Sequence, residues 1–189
     1  QTSYERHLEI RPSRIPHAGN GVFTTAAIPK GARLGAYTGE FVTDEEYSRR
    51  YQANRWQYMM GLRDCAKPYT GGITTIDGIA GNVFTRMNYA PAEFQNVKFE
   101  KTCEPPFVTI VAIRDIAPGE ELWVDYGPNY RYDFMKDEAV IEFFARLRAA
   151  PGVYPIERPT RTLAAMLARA GGVAIEPAVA IVRVTRGGK

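Results

Sequence analysis

Apolar and polar positions change over in short bursts along the first 130 residues. The runs "GVFTTAAI", "ARLGAYTG", "QYMMGL", "GITTID", "KFE" and "FVTIVAI" are separated by Gly, Pro, Asn or Asp, the punctuation of a chain of short strands. "GEELWVDYG" (119–127) reads as one more strand. At a period of two, Leu122, Val124 and Tyr126 share one face, and Trp123 and Asp125 share the other. "IPKG" (28–31) and "IAPG" (116–119) are similar proline–glycine turns, each ahead of a strand. One helix is expected in this region, over "TDEEYSRRYQ" (43–52). Thr43 is placed to cap it, with Glu46 three positions later and acidic residues through the first turn.

The pattern shifts from Tyr132 onward. "FMKDEAVIEFFARLRAA" puts Phe134, Ala139, Ile141, Phe144 and Leu147 near one helical face, and Pro151-Gly152 ends it. "PTRTLAAMLARAGG" reads as a second short helix, and "VAIEPAVAIVRV" as a strand that Pro177 breaks or demotes to an edge. No internal repeat is visible. The expected organisation is a β-rich body over residues 1–130 followed by a helical and mixed segment over 131–189.

Composition adds little to this and excludes some classes. A chain of 189 residues, 45% hydrophobic and 24% charged, has the composition of a globular domain. No apolar run approaches the roughly 20 residues that span a bilayer, so no membrane partner is expected. The opening "QTSYERHLEIRPSR" is polar and shows no signal peptide, which points to an intracellular protein, cytoplasmic or nuclear. Cys65 and Cys103 belong to no CxxC or Cys/His cluster, so they are expected to be two free thiols in a reducing compartment. No metal site is expected. Charge is uneven: residues 1–130 carry 14 basic against 15 acidic side chains, and 131–189 carry 10 against 6. The basic tail lacks the dense run of a nucleic-acid arm, so nucleic acid is expected to be at most an indirect partner. Oligomeric state is not legible.

Three stretches together resemble one family. "HAGNGVFTTAAIPKGARLGAYTGE" (17–40) is similar to the opening of a SET domain, the fold of protein-lysine methyltransferases. "IDGIAGNVFTRMNYA" (76–90) resembles the segment where an Ile-Asp-Gly strand and Gly-Asn precede an Asn-His-Ser motif. "IRDIAPGEELWVDYG" (113–127) resembles the strand ending in the catalytic tyrosine. The resemblance implies a mainly β, β-clip-like SET fold of several small sheets with a threaded segment, the Asn88 segment packed on the Tyr126 strand. It implies methyl transfer from S-adenosylmethionine to lysine in a protein substrate, histones among the candidates. The alternative is a catalytically silent SET-like module that binds a protein partner.

The resemblance also assigns expected roles. The turn Gly19-Asn20-Gly21 would meet the cofactor through its main chain, since glycine lets backbone approach a ligand closely; a plain hairpin turn is the other reading. Asn88 would accept from the amino group of the cofactor's methionine moiety. The motif here reads Asn88-Tyr89-Ala90, so Tyr89 would hold the adenine through its backbone, or serve as core filler. Tyr126 would orient the substrate amine, with Tyr37 as a second wall or an ordinary strand aromatic. A lysine amine has a pKa near 10.4 in water, and desolvation favours the neutral, nucleophilic form. Phe99 and Val124 fall at channel positions without a hydroxyl, which points towards repeated methylation; both also suit a plain core. No cysteine follows position 103, so the family's cysteine-rich zinc segment after the tyrosine is absent, and residues 131–150 with Tyr130, Tyr132 and Phe134 are expected to close the channel instead.

Overall fold

The unbroken apolar run in "FVTIVAI" becomes strand β9 (Val108–Ala112), whose five residues are all buried. A strand covered on both faces has no reason to alternate, and this one does not. It is the centre of a three-stranded antiparallel sheet, flanked by β3 (Arg33–Ala36) and β8 (Val97–Lys101). A computed structural model describes residues 4–51, 58–128, 130 and 132–149 of the chain. The chain divides into two compact units, residues 1–131 and 132–189.

Three further small sheets complete the first unit. β4 (Glu40–Val42), β6 (Thr75–Asp77) and β5 (Met59–Gly61) form an antiparallel sheet with β6 central. β1 (Leu8–Pro12) and β2 (Asn20–Thr24) form a hairpin. β7 (Asn88–Tyr89) and β10 (Trp123–Val124) pair in parallel. The core between the sheets holds Val22, Ile28, Leu34, Ile76, Phe84, Ile110, Leu122 and Val124. The chain is therefore mainly β, in several small sheets, as expected. The two proline–glycine turns meet: Ile28 and Ile116 exchange both backbone hydrogen bonds, at 2.9 and 2.8 Å.

Helix α1 (Asp44–Tyr51) begins as its sequence dictates, the Glu46 N–H donating to Thr43 Oγ1 at 3.1 Å. Its last turn is tied to β6, where the Tyr51 hydroxyl donates to the buried Asp77 carboxylate at 2.7 Å. In the second unit a 3₁₀ turn (Asp133–Lys136) precedes α2 (Glu138–Ala149). The helix thus starts later than expected because Asp137 caps it, accepting from the Ala139 N–H at 2.8 Å. Its buried residues are Val140 and Phe144, whereas Ile141, expected on the inner face, is half exposed. The second helix and the last strand read from the sequence lie outside the described residues.

Two further expectations are corrected. "GEELWVDYG" is not an alternating strand: only Trp123–Val124 is strand, and Glu121, Leu122, Trp123 and Val124 are all buried. The reason is cover on both faces, and both edges are paired as well. β2 lies along 120–122, with the Thr24 N–H donating to Glu120 O and the Leu122 N–H to Val22 O, while β7 takes the far edge. Cys65 and Cys103 are not free thiols but a disulfide, with their Cα atoms 5.2 Å apart. Cys103 follows β8 and Cys65 lies between β5 and β6. The two segments are already held together where Lys101 Nζ donates to Gly61 O at 2.7 Å. Spacing along the chain carries no trace of that meeting.

Candidate active site

The parallel pair of β7 and β10 sets Asn88 opposite Trp123 and Tyr89 opposite Val124. Asn96, fully buried, locks the incoming chain: its Nδ2 donates to Glu121 O and its Oδ1 accepts from the Trp123 N–H, both at 2.8 Å. Two distant segments, one ending in Asn88 and the other in Tyr126, are thereby fixed side by side.

The polar half of the site is built round the hairpin turn. Gly19 has a backbone φ of +71°, a conformation that glycine adopts without strain. Gly21 is required for a different reason. A Cβ there would stand 2.1 Å from Glu121 Oε1 and 3.2 Å from Asn88 Nδ2. The room that the missing side chain leaves is filled from within the protein. Asn88 Nδ2 donates to Asn20 O at 2.9 Å and to Glu121 Oε1 at 3.2 Å, which uses both of its hydrogens. Among the described residues, no group donates to Asn88 Oδ1. Gly19, Asn20, Gly21 and Asn88 are thus brought together, with Glu121 as a fifth member.

The aromatic half lies around Tyr126. Its hydroxyl donates to Met87 O at 2.8 Å, and its ring stands 4.7 Å from Tyr130 and 6.0 Å from Tyr89, centre to centre. Burial, reinforced by Tyr130, pushes the Tyr126 phenol well above the ordinary tyrosine range. Tyr37 is built alike. Its hydroxyl donates to Tyr58 O at 2.9 Å, and burial, then Tyr47 and Asp77, raise it likewise. Both phenols are therefore neutral at physiological pH, each with its single hydrogen committed to a carbonyl and its oxygen still able to accept. Desolvation also raises Tyr130, helped by Tyr58, and raises Tyr89, helped by Asp125.

Phe99 packs edge-on against Tyr37 with ring centres 5.9 Å apart, and Val124 is wholly buried in the core. Tyr132 and Phe134, in the second unit, have tilted rings with centres 6.2 Å apart. Two residues were not singled out from the sequence. Tyr58, whose carbonyl receives Tyr37, has its ring under the Arg86 guanidinium at 4.7 Å and interacts with Tyr126 and Tyr130. Glu121 is only 2% exposed. No local signal marks either of them, because each gains its surroundings from segments far away in the chain.

Comparison with known proteins bears on the fold. The SET domain model matches residues 19–127. A histone-lysine N-methyltransferase, EZH2 of Chaetomium thermophilum, is 26% identical over 138 residues, which is 69% of this chain and 9% of that protein. The chain therefore spans about a tenth of the curated relative that it matches. An active polycomb repressive complex 2 in the stimulated state superposes with a TM-score of 0.57 and 25% identity, over 70% of this chain and 16% of that one. The Chaetomium complex in an autoinhibited conformation bound to S-adenosylmethionine shares the fold, with a TM-score of 0.54 and 24% identity over 75% of this chain and 17% of that one.

Proposed function

The chain belongs to the SET-domain family, and on that premise we propose that it transfers methyl groups from S-adenosylmethionine to the side-chain amine of lysine in a protein substrate. The observation that carries the reading is the pairing of β7 with β10. It brings the segment carrying Asn88, whose Oδ1 is left to accept, against a half-buried tyrosine whose hydroxyl is held by the neighbouring Met87 O. Bound S-adenosylmethionine supplies an electrophilic methyl group on a sulfonium. Asn88 Oδ1 is the acceptor for the ammonium of its methionine moiety, and the backbone of residues 19–21 lines the same side.

The substrate amine must arrive neutral, because a protonated amine has no lone pair to donate. Tyr126 and Tyr37 are not bases for this step at neutral pH, since their raised phenols are already protonated. Their contribution is to exclude water, which depresses the amine's pKa, and to accept a hydrogen bond that orients its lone pair. S-adenosylmethionine held by Asn88 and the backbone of residues 19–21 would supply the methyl group, and Tyr126 and Tyr37 would orient the amine that receives it. Phe99 beside Tyr37 adds an apolar wall with no hydroxyl to hold a water, which favours more than one round of methylation.

Tyr89 in place of the family's histidine is compatible with activity. What the pairing needs from that position is its backbone, and Tyr89 lies opposite Val124 in register. Ala90, where the family has serine, is fully buried. Histones are the first substrates to try, since the curated relative is a histone-lysine methyltransferase by name. The test is incubation with radiolabelled S-adenosylmethionine and histones or whole-proteome extract, with modified lysines read by mass spectrometry. Label on lysine is the expected result. No label on either substrate, together with tight uptake of S-adenosylhomocysteine, would favour the silent binding module.

A further inference from the structure

We propose that Glu121 is a positioning residue, one that sets the Asn88 amide so that its carbonyl oxygen is the atom left to accept from a ligand. The claim deepens the methyl-transfer reading above and rests on it for the identity of that ligand. A side-chain amide can turn over and exchange its oxygen with its nitrogen, and a turned Asn88 would present donors to a cationic amino group. Something must hold it one way round. Asn20 O and Glu121 Oε1 both accept from Asn88 Nδ2, at 2.9 and 3.2 Å. A turned amide would set its oxygen against two acceptors.

Glu121 is suited to this because every group that meets it is a donor. Ser13 Oγ donates to Oε1 at 2.7 Å while itself accepting from the Ile15 N–H at 3.1 Å. The Arg14 N–H donates to Oε2 at 2.9 Å. Together with Asn88 this makes three donors on two oxygens, in a side chain 2% exposed. Only a group with two accepting oxygens satisfies all three. A glutamine would place its own NH₂ against one of them. Gly21 belongs to the same device, since a Cβ there would displace Oε1. The second glycine of the turn admits the carboxylate, and the carboxylate orients the asparagine.

The experiment compares wild type, Glu121→Gln, Asn88→Ala and the double variant. Calorimetry gives the affinity for S-adenosylhomocysteine, and the Asn88 side-chain amide is followed by ¹⁵N NMR in the ligand-free protein. Glu121→Gln should weaken binding about tenfold, the size expected when a buried donor loses its acceptor. In the Asn88→Ala background the same change should have little further effect, because the asparagine through which it acts is gone. In wild type the two Asn88 amide protons should be slow to exchange with solvent and sharply distinct, and in Glu121→Gln they should lose that protection. Equal affinity in wild type and Glu121→Gln overturns the proposal, as does an equal loss with and without Asn88, which would mark a general structural role. Fast-exchanging Asn88 amide protons in wild type overturn it without any variant. Should the wild type take up no S-adenosylhomocysteine, the methyl-transfer reading falls, and the amide resonances alone then decide the positioning claim.

Discussion

The two halves of the site solve one problem by opposite means. Each must leave an oxygen free to accept a hydrogen bond. On the aromatic side this is done by limiting water: Tyr37 is buried and Tyr126 half-buried, and each commits its only hydrogen to a carbonyl, Tyr58 O and Met87 O. On the polar side it is done by saturation, with both Asn88 hydrogens taken by Asn20 O and Glu121. The aromatic half depends on what surrounds it, so its parts are replaceable in shape though not in their hydroxyls. The polar half depends on an exact count of donors and acceptors, so a change of one atom type unbalances it.

The sharpest way to separate the halves is to delete one hydroxyl. Tyr126→Phe should keep the fold and S-adenosylhomocysteine binding while lowering methyl transfer about 10²-fold, the cost of losing a positioned polar group in a water-excluded site. Turnover at the wild-type rate would break the aromatic half of the comparison. Next come the glycines that make room for each half. Gly21→Ala puts a Cβ 2.1 Å from Glu121 Oε1, and Gly78→Ala puts one 2.3 Å from the Tyr37 hydroxyl. Each should cost about 1–3 kcal/mol in urea unfolding, as overpacking does. Only Gly21→Ala should also weaken S-adenosylhomocysteine, and equal weakening by both would show that the halves are not separable.

A smaller effect is expected from Asn88→Ala, about tenfold in cofactor affinity by calorimetry, since a ligand donor loses its partner. Stability should also fall slightly, because Asn20 O and Glu121 lose the donor they share. A large fall in melting temperature at unchanged affinity would make Asn88 structural. The smallest effect concerns pH. Folded-state phenols raised above the unfolded value of about 10 contribute stability that is complete below that pH and is lost as pH climbs towards their folded values. Tyr47, pushed up to about 12 mainly by burial and then by Asp77, loses its share between about pH 10 and 12. Melting temperatures measured from pH 9 to 11.5 should therefore decline, and less steeply in Tyr126→Phe. An unchanged slope would mean that the Tyr126 ring is wetter than its burial implies.

Much of the fold can be read in the chain because its signals are local. The β9 run is buried on both sides, and its composition says so without any partner in view. Thr43 and Glu46 announce α1 within four residues, and the hydrogen bond they imply is present. Strand β1 could not be found that way. Four of its five residues are exposed, and its pairing with β2 is what holds it as a strand. Apolar helical spacing runs on into Phe134, four residues ahead of the true start of α2 at Glu138, because Asp137 caps the helix.

The order of residues by itself determined the three landmark stretches and, with them, Tyr126, Asn88 and the glycine turn as the residues to examine. These are short segments whose chemistry and spacing are visible to anyone holding the chain. Only the tertiary structure decided that Glu121 lies under that turn, that Tyr58 receives the Tyr37 hydroxyl, and that Cys65 meets Cys103. Each of these joins segments at least 20 residues apart. A carboxylate, a carbonyl or a thiol has no preferred partner until packing brings one within about 3 Å, and packing belongs to the whole core rather than to any window of sequence.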